Sequence, residues 1–338
     1  MPKVLIIGPN FYNFCTAVAG GFKTHGWEVC VEKYDNPIHP YTTSMKWRYK
    51  FACDKPKMRD KSLARYQAYI IERFNDVRPD LVFLLNGDWI TTQTIDLFGQ
   101  TAVVACWLFD RLYNLPNSID HINHINHMFC YDQEDVLLLA QTGKKVSFLP
   151  QACDTTIYVP QYKIKDIDIL FVGNLYNSQR RQEYIESIVA AFPNKKIRVI
   201  GEYKPWYKNP LKCLFRKNKS IFTNRNIPEM DVNYFYNRAK VVLNIHNEQQ
   251  KEGANPKVFE ICGSGAYQIC DANTYIKSIF SDGQVGLYQT KKELITLIDN
   301  ALKCDKSKDA QRAYQIVISK HTFNKRIEQM LDMLYSND

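Results

Sequence analysis

Short apolar runs that stop at glycine, asparagine or aspartate recur along all 338 residues of this chain, and they constrain its fold more than any other feature. Residues 3–8 run into GPN, 81–85 into NGDW and 102–108 into FDR. Past 150–160 the pattern restarts: 168–172 runs into GN, 196–200 into glycine, and 241–245 into HNEQQ. Helix-length segments lie between them, at about 62–77, 178–192 and 230–238, and the tail reads as helices over about 291–303, 307–319 and 322–335. Continuous apolar strands alternating with helices imply parallel sheets covered on both faces. The expected architecture is α/β in two doubly wound halves. Residues 1–152 form the first domain, 153–166 a linker and 167–318 the second domain, with a terminal helix in 319–338 that crosses back to the first. Ligands of such sheets bind at the carboxyl ends of the strands.

Size and composition narrow the class. A chain of 338 residues suffices for two domains with separate cores. No run approaches the ~18 apolar residues of a membrane span. The opening MPKVLIIGPN is too short for a secretory signal and reads as a strand. The ten cysteines are scattered, with no Cys-x-x-Cys. That argues against zinc and thioredoxin-like chemistry and points to a reducing, cytoplasmic setting. The formal charge of +9 favours anionic partners: nucleic acid, anionic lipid or phosphorylated small molecules. Recognition signatures of RNA- and DNA-binding modules are absent, so no nucleic-acid partner is expected. The loop after the first strand has one glycine rather than the three of a dinucleotide fingerprint, which argues against NAD and FAD.

The stretch 252–271, EGANPKVFEICGSGAYQICD, is the densest in candidate chemistry. Asn255 is a strong N-cap type, and Pro256 suits the first helical position. The unpaired amides of such a helix start attract phosphate or carboxylate. Glu252 precedes the helix and Glu260 falls on its second turn; Gly263 and Gly265 end it before a strand, YQIC. Carboxylates on either side of an anion-binding helix start suit the hydroxyls that flank a phosphate. An amphipathic helix with two solvated glutamates has the same spacing.

EGANPKVFE resembles the Glu-x7-Glu motif of retaining GT-B glycosyltransferases. Together with FLPQACDTTIY, DILFVGN, NPKVFEICGSGAYQICD and HTFNKRIEQML, it is similar to the CgeB/YkvP-like branch of that group over about 100–335. The resemblance implies two Rossmann-like domains facing a central cleft. A nucleotide-sugar donor would bind the second, and a carbohydrate or lipid-linked acceptor the first. It implies that Glu260 accepts hydrogen bonds from ribose hydroxyls and that Glu252 lies near the donor sugar. The amides of about 254–257, around Asn255, Pro256 and Lys257, would meet the sugar or diphosphate, and Gly173 would let the donor approach the backbone. In many relatives an arginine follows that glycine. Here Asn174 holds the position, so the cation for the departing diphosphate is expected from Arg180, ahead of Arg181, or from Lys257. The class generally needs no metal, and no metal or other cofactor is expected. A UDP-sugar is favoured on family frequency, in synthesis of a bacterial surface polysaccharide or glycoconjugate. A nucleotide-sugar epimerase and a non-catalytic sugar-nucleotide-binding protein share the fold, and the intact Glu252/Glu260 pair argues against the second.

Further candidates lie outside that stretch. Asp88 and Asp110 end strands of the first domain, where with Asn10 they face the acceptor; helix N-capping is the alternative for both acids. His246 ends a strand just before 252–271 and is placed to touch the donor sugar. His121, His124 and His127 are spaced i, i+3, i+6, but on a helix the outer two diverge by about 120° and no further ligand completes a metal set. Segment 203–219, YKPWYKNPLKCLFRKNK, interleaves six lysines and arginines with Trp206, Leu211, Leu214 and Phe215. That composition suits an anionic membrane surface, such as the inner face of the cell membrane. An insertion packed on its own domain is the alternative.

Overall fold

The structure, a computed structural model, describes residues 1–10, 12–34, 51, 54–176, 178–202, 221–246, 252–281 and 283–335. The basic segment 203–219 lies outside the described residues. Among the described residues no helix is long and apolar enough to cross a membrane. Two compact units account for the chain: Met1–Pro150 with Phe323–Asp338, and Gln151–Thr322.

In the first unit, strands β1 (Lys3–Pro9), β2 (Glu28–Tyr34), β3 (Leu81–Leu85), β4 (Val103–Leu108), β5 (His127–Cys130) and β6 (Val146–Phe148) form one sheet in the order β2-β1-β3-β4-β5-β6. Every pairing is parallel. β3, LVFLL, is buried at each position, as a strand covered on both faces must be. Helices α1 (Phe14–Thr24), α2 (Lys55–Val77), α3 (Thr92–Gly99), α4 (Pro116–His121) and α5 (Gln133–Ala140) connect the strands. α2 starts earlier than the expected 62 because cap chemistry decides its beginning. Asp54 accepts from the Lys57 amide at 3.0 Å, and Pro56 costs nothing in the first turn. The C-terminal helix, Phe323–Tyr335, lies against α1. A Cβ on Gly21 would sit 2.6 Å from Ile327 Cγ1, so only glycine allows that approach. Buried Arg326 donates from Nε to the Pro150 carbonyl at 2.8 Å.

The second unit holds β7 (Ile167–Val172), β8 (Ile197–Ile200), β9 (Phe222–Thr223), β10 (Ala239–Asn244), β11 (Gln268–Asp271) and β12 (Gly286–Tyr288), in the order β12-β11-β10-β7-β8-β9. The chain order reverses between β7 and β10, which opens a crevice at their carboxyl ends. Helices α6 (Gln179–Ala191), α7 (Glu229–Arg238), α8 (Pro256–Gly263), α9 (Thr274–Ile279), α10 (Lys291–Lys303) and α11 (Ser307–Lys320) flank the sheet. One core gathers Leu170, Val242, Val258 and Phe259; the other gathers Ile169, Phe171, Val199 and Leu243. Cys153, Ile157 and Tyr158, in the segment read as a linker, belong to the first of these cores. The Cys153 amide donates to the His321 carbonyl at 2.8 Å, so the chain enters and leaves this unit at one point.

Candidate functional site

α8 begins where its sequence dictates. The Asn255 side chain accepts from the Val258 amide at 3.2 Å, and Pro256 takes the first helical position. A ladder of neutral amides fixes this start to the sheet. Asn255 Nδ2 donates to Asn244 Oδ1 at 3.1 Å, and Asn244 Nδ2 donates to Asn255 Oδ1 and to Gln268 Oε1, both at 3.0 Å. Gln268 Nε2 then donates to the Val258 carbonyl at 3.0 Å. Amides donate and accept at once, so the ladder is satisfied without a buried charge.

The two glutamates have different surroundings. Glu252 accepts from the Thr274 amide at 3.1 Å and from Thr274 Oγ1 at 3.4 Å, at the positive end of α9. Asn273 Nδ2 donates to the Gly253 carbonyl at 2.7 Å, which ties the same turn to α9. Glu260 is buried on α8. Burial pushes its carboxyl up to about 7; nearby Lys257 opposes the rise, and Glu229 adds to it. Lys257 is half-buried in the first turn of α8 and makes no ion pair with any described residue.

Arg180, expected at the diphosphate, is engaged within the sheet edge. Its Nη1 donates to the His246 carbonyl at 3.0 Å, its guanidinium pairs with Asp271, and its Cζ lies 4.6 Å from the centroid of the Tyr184 ring. The same Asp271 accepts from the His246 amide at 2.6 Å. The His246 ring, expected to touch the donor sugar, is buried with Nε2 3.5 Å from Cys270 Sγ. Burial pushes it down to about 4, so it is neutral at physiological pH. Arg181 lies across the strand-order reversal, donating to the Ile245 carbonyl at 2.7 Å and to the Asn174 carbonyl at 3.2 Å. Asn174 turns its side chain on the chain itself, accepting from the Glu202 amide at 3.0 Å. Beside it, a Cβ on Gly201 (φ +135°) would lie 2.3 Å from the Gly173 carbonyl oxygen. Gly201→Ala should therefore push the Gly173–Asn174 turn aside and cost about 2 kcal/mol. A melting temperature equal to wild type would show that the turn yields freely.

In the first unit, Asp88 and Asp110 follow the adjacent strands β3 and β4. Asn86 (φ 62°) and Gly87 (φ 78°) are both left-handed, and Asn86 Oδ1 accepts from the Phe109 amide at 2.8 Å, tying the two strand ends together. Burial, reinforced by Asp110, pushes the Asp88 carboxyl up to about 6. Asp110 Oδ1 accepts from the Arg111 amide at 2.8 Å and from Asn114 Nδ2 at 2.9 Å, both within its own turn. Asn10, exposed just past β1, donates from its amide to the Tyr34 carbonyl at 2.8 Å. The three histidines diverge. His124 Nδ1 meets Asp96 at 2.6 Å, His127 Nε2 meets Ser147 Oγ at 2.8 Å, and His121 sits beneath Gly87. Among the described residues no three His, Cys, Asp or Glu gather as a metal set.

Residues 180–332 match the family described as Glycosyl transferase-like. A sucrose-phosphate synthase from Thermosynechococcus elongatus superposes with a TM-score of 0.70 at 10% identity, covering 99% of this chain and 100% of that one. The Anabaena protein HepE, solved in complex with UDP, gives 0.65 at 12% identity over 99% and 100% of the two chains. The lipopolysaccharide outer core galactosyltransferase WaaB gives 0.64 at 12% identity over 99% of each. The chain has a GT-B fold. A comparison with curated protein sequences finds no match.

Several residues around this candidate site carry no local signature. Tyr158 falls in the run read as a linker, Asp271 ends an ordinary strand, and Arg181 stood second to Arg180. One signal is available in Asn244 of VVLNI and Gln268 of YQICD: a polar residue inside an apolar strand must find a hydrogen-bond partner.

Proposed function

We propose that this protein transfers a sugar from a nucleoside-diphosphate sugar to a hydroxyl acceptor, with the donor held at the carboxyl edge of the second unit's sheet. One observation carries the reading: the Asn255–Pro256 helix start is pinned by amides to the end of β10, with buried Glu260 one turn further on. Glu260 receives the ribose hydroxyls. The 254–257 amides and Lys257 meet the diphosphate, Gly173 admits the donor close to the backbone, and Glu252 leaves Thr274 to orient the donor sugar. The match over 180–332 supports the reaction class. A UDP-sugar is the favoured donor, as the UDP in HepE, a protein of like fold, supports.

The CgeB/YkvP-like motifs favour transfer with retention. The acceptor oxygen bonds the anomeric carbon on the face from which the diphosphate oxygen departs, and the departing phosphate takes the acceptor's proton. Asp88, Asp110 and Asn10 then bind a carbohydrate or lipid-linked acceptor rather than act as bases. Lys257 and the α8 dipole neutralise the leaving group in place of a metal ion. The setting is cytoplasmic synthesis of a surface polysaccharide or glycoconjugate, with 203–219 against an anionic inner membrane face.

A thermal-shift panel of UDP, GDP, ADP, CMP and dTDP tests the reading. A nucleotide present at 100 times its Kd stabilises by about 2.7 kcal/mol. No shift with any of the five overturns it. Turnover with the matching nucleotide sugar should survive EDTA, and a loss restored by Mn²⁺ would sink the metal-free part.

A further inference from the structure

We propose that Arg59, held over the Trp89 ring at the carboxyl end of β3, is an anion-binding residue, and that the acceptor is a sugar carrying a phosphate or a carboxylate. The proposal rests on the reading of the ends of β3 and β4 as the acceptor site.

Arg59 continues the packed face of α2. Ser62, Leu63 and Tyr66 follow it at helical spacing on one side of the helix, and Ser62 and Tyr66 are buried. Arg59 stands at the exposed end of that face, with its Cζ 5.4 Å from the centroid of the Trp89 ring. Trp89 directly follows Asp88, past the left-handed turn of Asn86 and Gly87, and is half-buried.

Helix and loop are fastened to each other. Buried Gln67 of α2 donates from Nε2 to the Trp89 carbonyl at 2.7 Å and accepts from the Thr91 amide at 3.1 Å. The Ile90 amide donates to the Gly87 carbonyl at 3.0 Å, which closes the turn below. The indole is therefore a fixed bed for the guanidinium.

Other arginines of this unit are neutralised within it. Arg73, on the same helix, pairs with Glu32 at 2.8 Å, and Arg111 with Asp135 at 3.0 Å. Arg59 makes no ion pair with any described residue. A ring beneath a guanidinium takes up its face and leaves the N–H edge, the fork that matches two oxygens of a carboxylate or phosphate. Asp88, next to Trp89 in the chain, and Asp110, past the adjacent strand β4, accept from hydroxyls and repel a negative group. An acceptor sugar then lies with its hydroxyls towards the acids and its charge on Arg59.

The test measures calorimetric affinities of the full-length chain for glucose, galactose and N-acetylglucosamine, for their 6-phosphates, and for glucuronate and galacturonate. At least one anionic sugar should bind about tenfold tighter than its neutral parent, and whether the 6-phosphates or the uronates lead identifies the group. Arg59→Gln should bring anionic and neutral sugars to the same affinity. Trp89→Leu, which removes the bed and keeps the cation, should cut the preference severalfold. Anionic and neutral sugars bound alike by wild type, or a preference that survives Arg59→Gln, overturns the proposal. Binding without charge preference that Asp88→Asn abolishes leaves the acceptor reading standing. Binding indifferent to both Arg59→Gln and Asp88→Asn overturns that reading as well, and no binding of any sugar overturns both.

Discussion

Glu260→Gln should stabilise the ligand-free protein at pH 8 while weakening its hold on a nucleotide. Glu260 titrates at about 7 in the folded protein against 4.5 ordinarily. Between those values the folded state holds a proton that the unfolded state has released. Stability from this group is therefore greatest below about 4.5, falls as the pH rises through 7, and stays low above it. Glutamine keeps the neutral form at every pH. The variant should match wild type near pH 4.5 and exceed it by up to about 3 kcal/mol at pH 8. Denaturant melts at pH 5 and 8 read this directly; a difference independent of pH would show that Glu260 is not strained by burial. The same substitution removes an anionic acceptor, so added nucleotide should stabilise the variant far less than wild type. A residue that costs the free protein stability and serves the complex is what a binding site predicts.

Arg111→Met should unfold the first unit far more readily, by about 3–5 kcal/mol. The guanidinium is 14% exposed and lies between Asp132 and Asp135, whose side chains are 0% and 4% exposed. It meets Asp135 at 3.0 Å and Asp132 at 3.4 Å, while its third partner, Glu134, is half exposed and contributes little. Removing the cation strands two carboxylates away from water. Burial already pushes the Asp135 carboxyl up, and Arg111 opposes that rise; without the cation it is pushed further, so the deficit should be largest near neutral pH and shrink on acidification towards pH 4. Urea melts across that range are the check. A deficit that does not change with pH would mean that lost packing, not stranded charge, is responsible.

Local sequence was enough for most of the elements and for the helix start at the candidate site. Continuous apolar runs such as LVFLL can only be strands buried on both faces, and Asn255 followed by Pro256 sets the start of α8 by capping chemistry alone. The Glu-x7-Glu spacing placed Glu260 on that helix because periodicity along a helix is local. Strand order, by contrast, is a contact between distant segments. Arg180 and Asp271 stand 91 residues apart, and they meet only because β10 and β11 lie side by side and α6 begins above their ends.

The sequence by itself determined most of the strands and helices and where α8 begins, since these follow from patterns within about ten residues. The tertiary structure decided which charges stay available there. It committed Arg180 to Asp271 and buried the ring of His246, because pairing and burial depend on what the rest of the chain brings alongside.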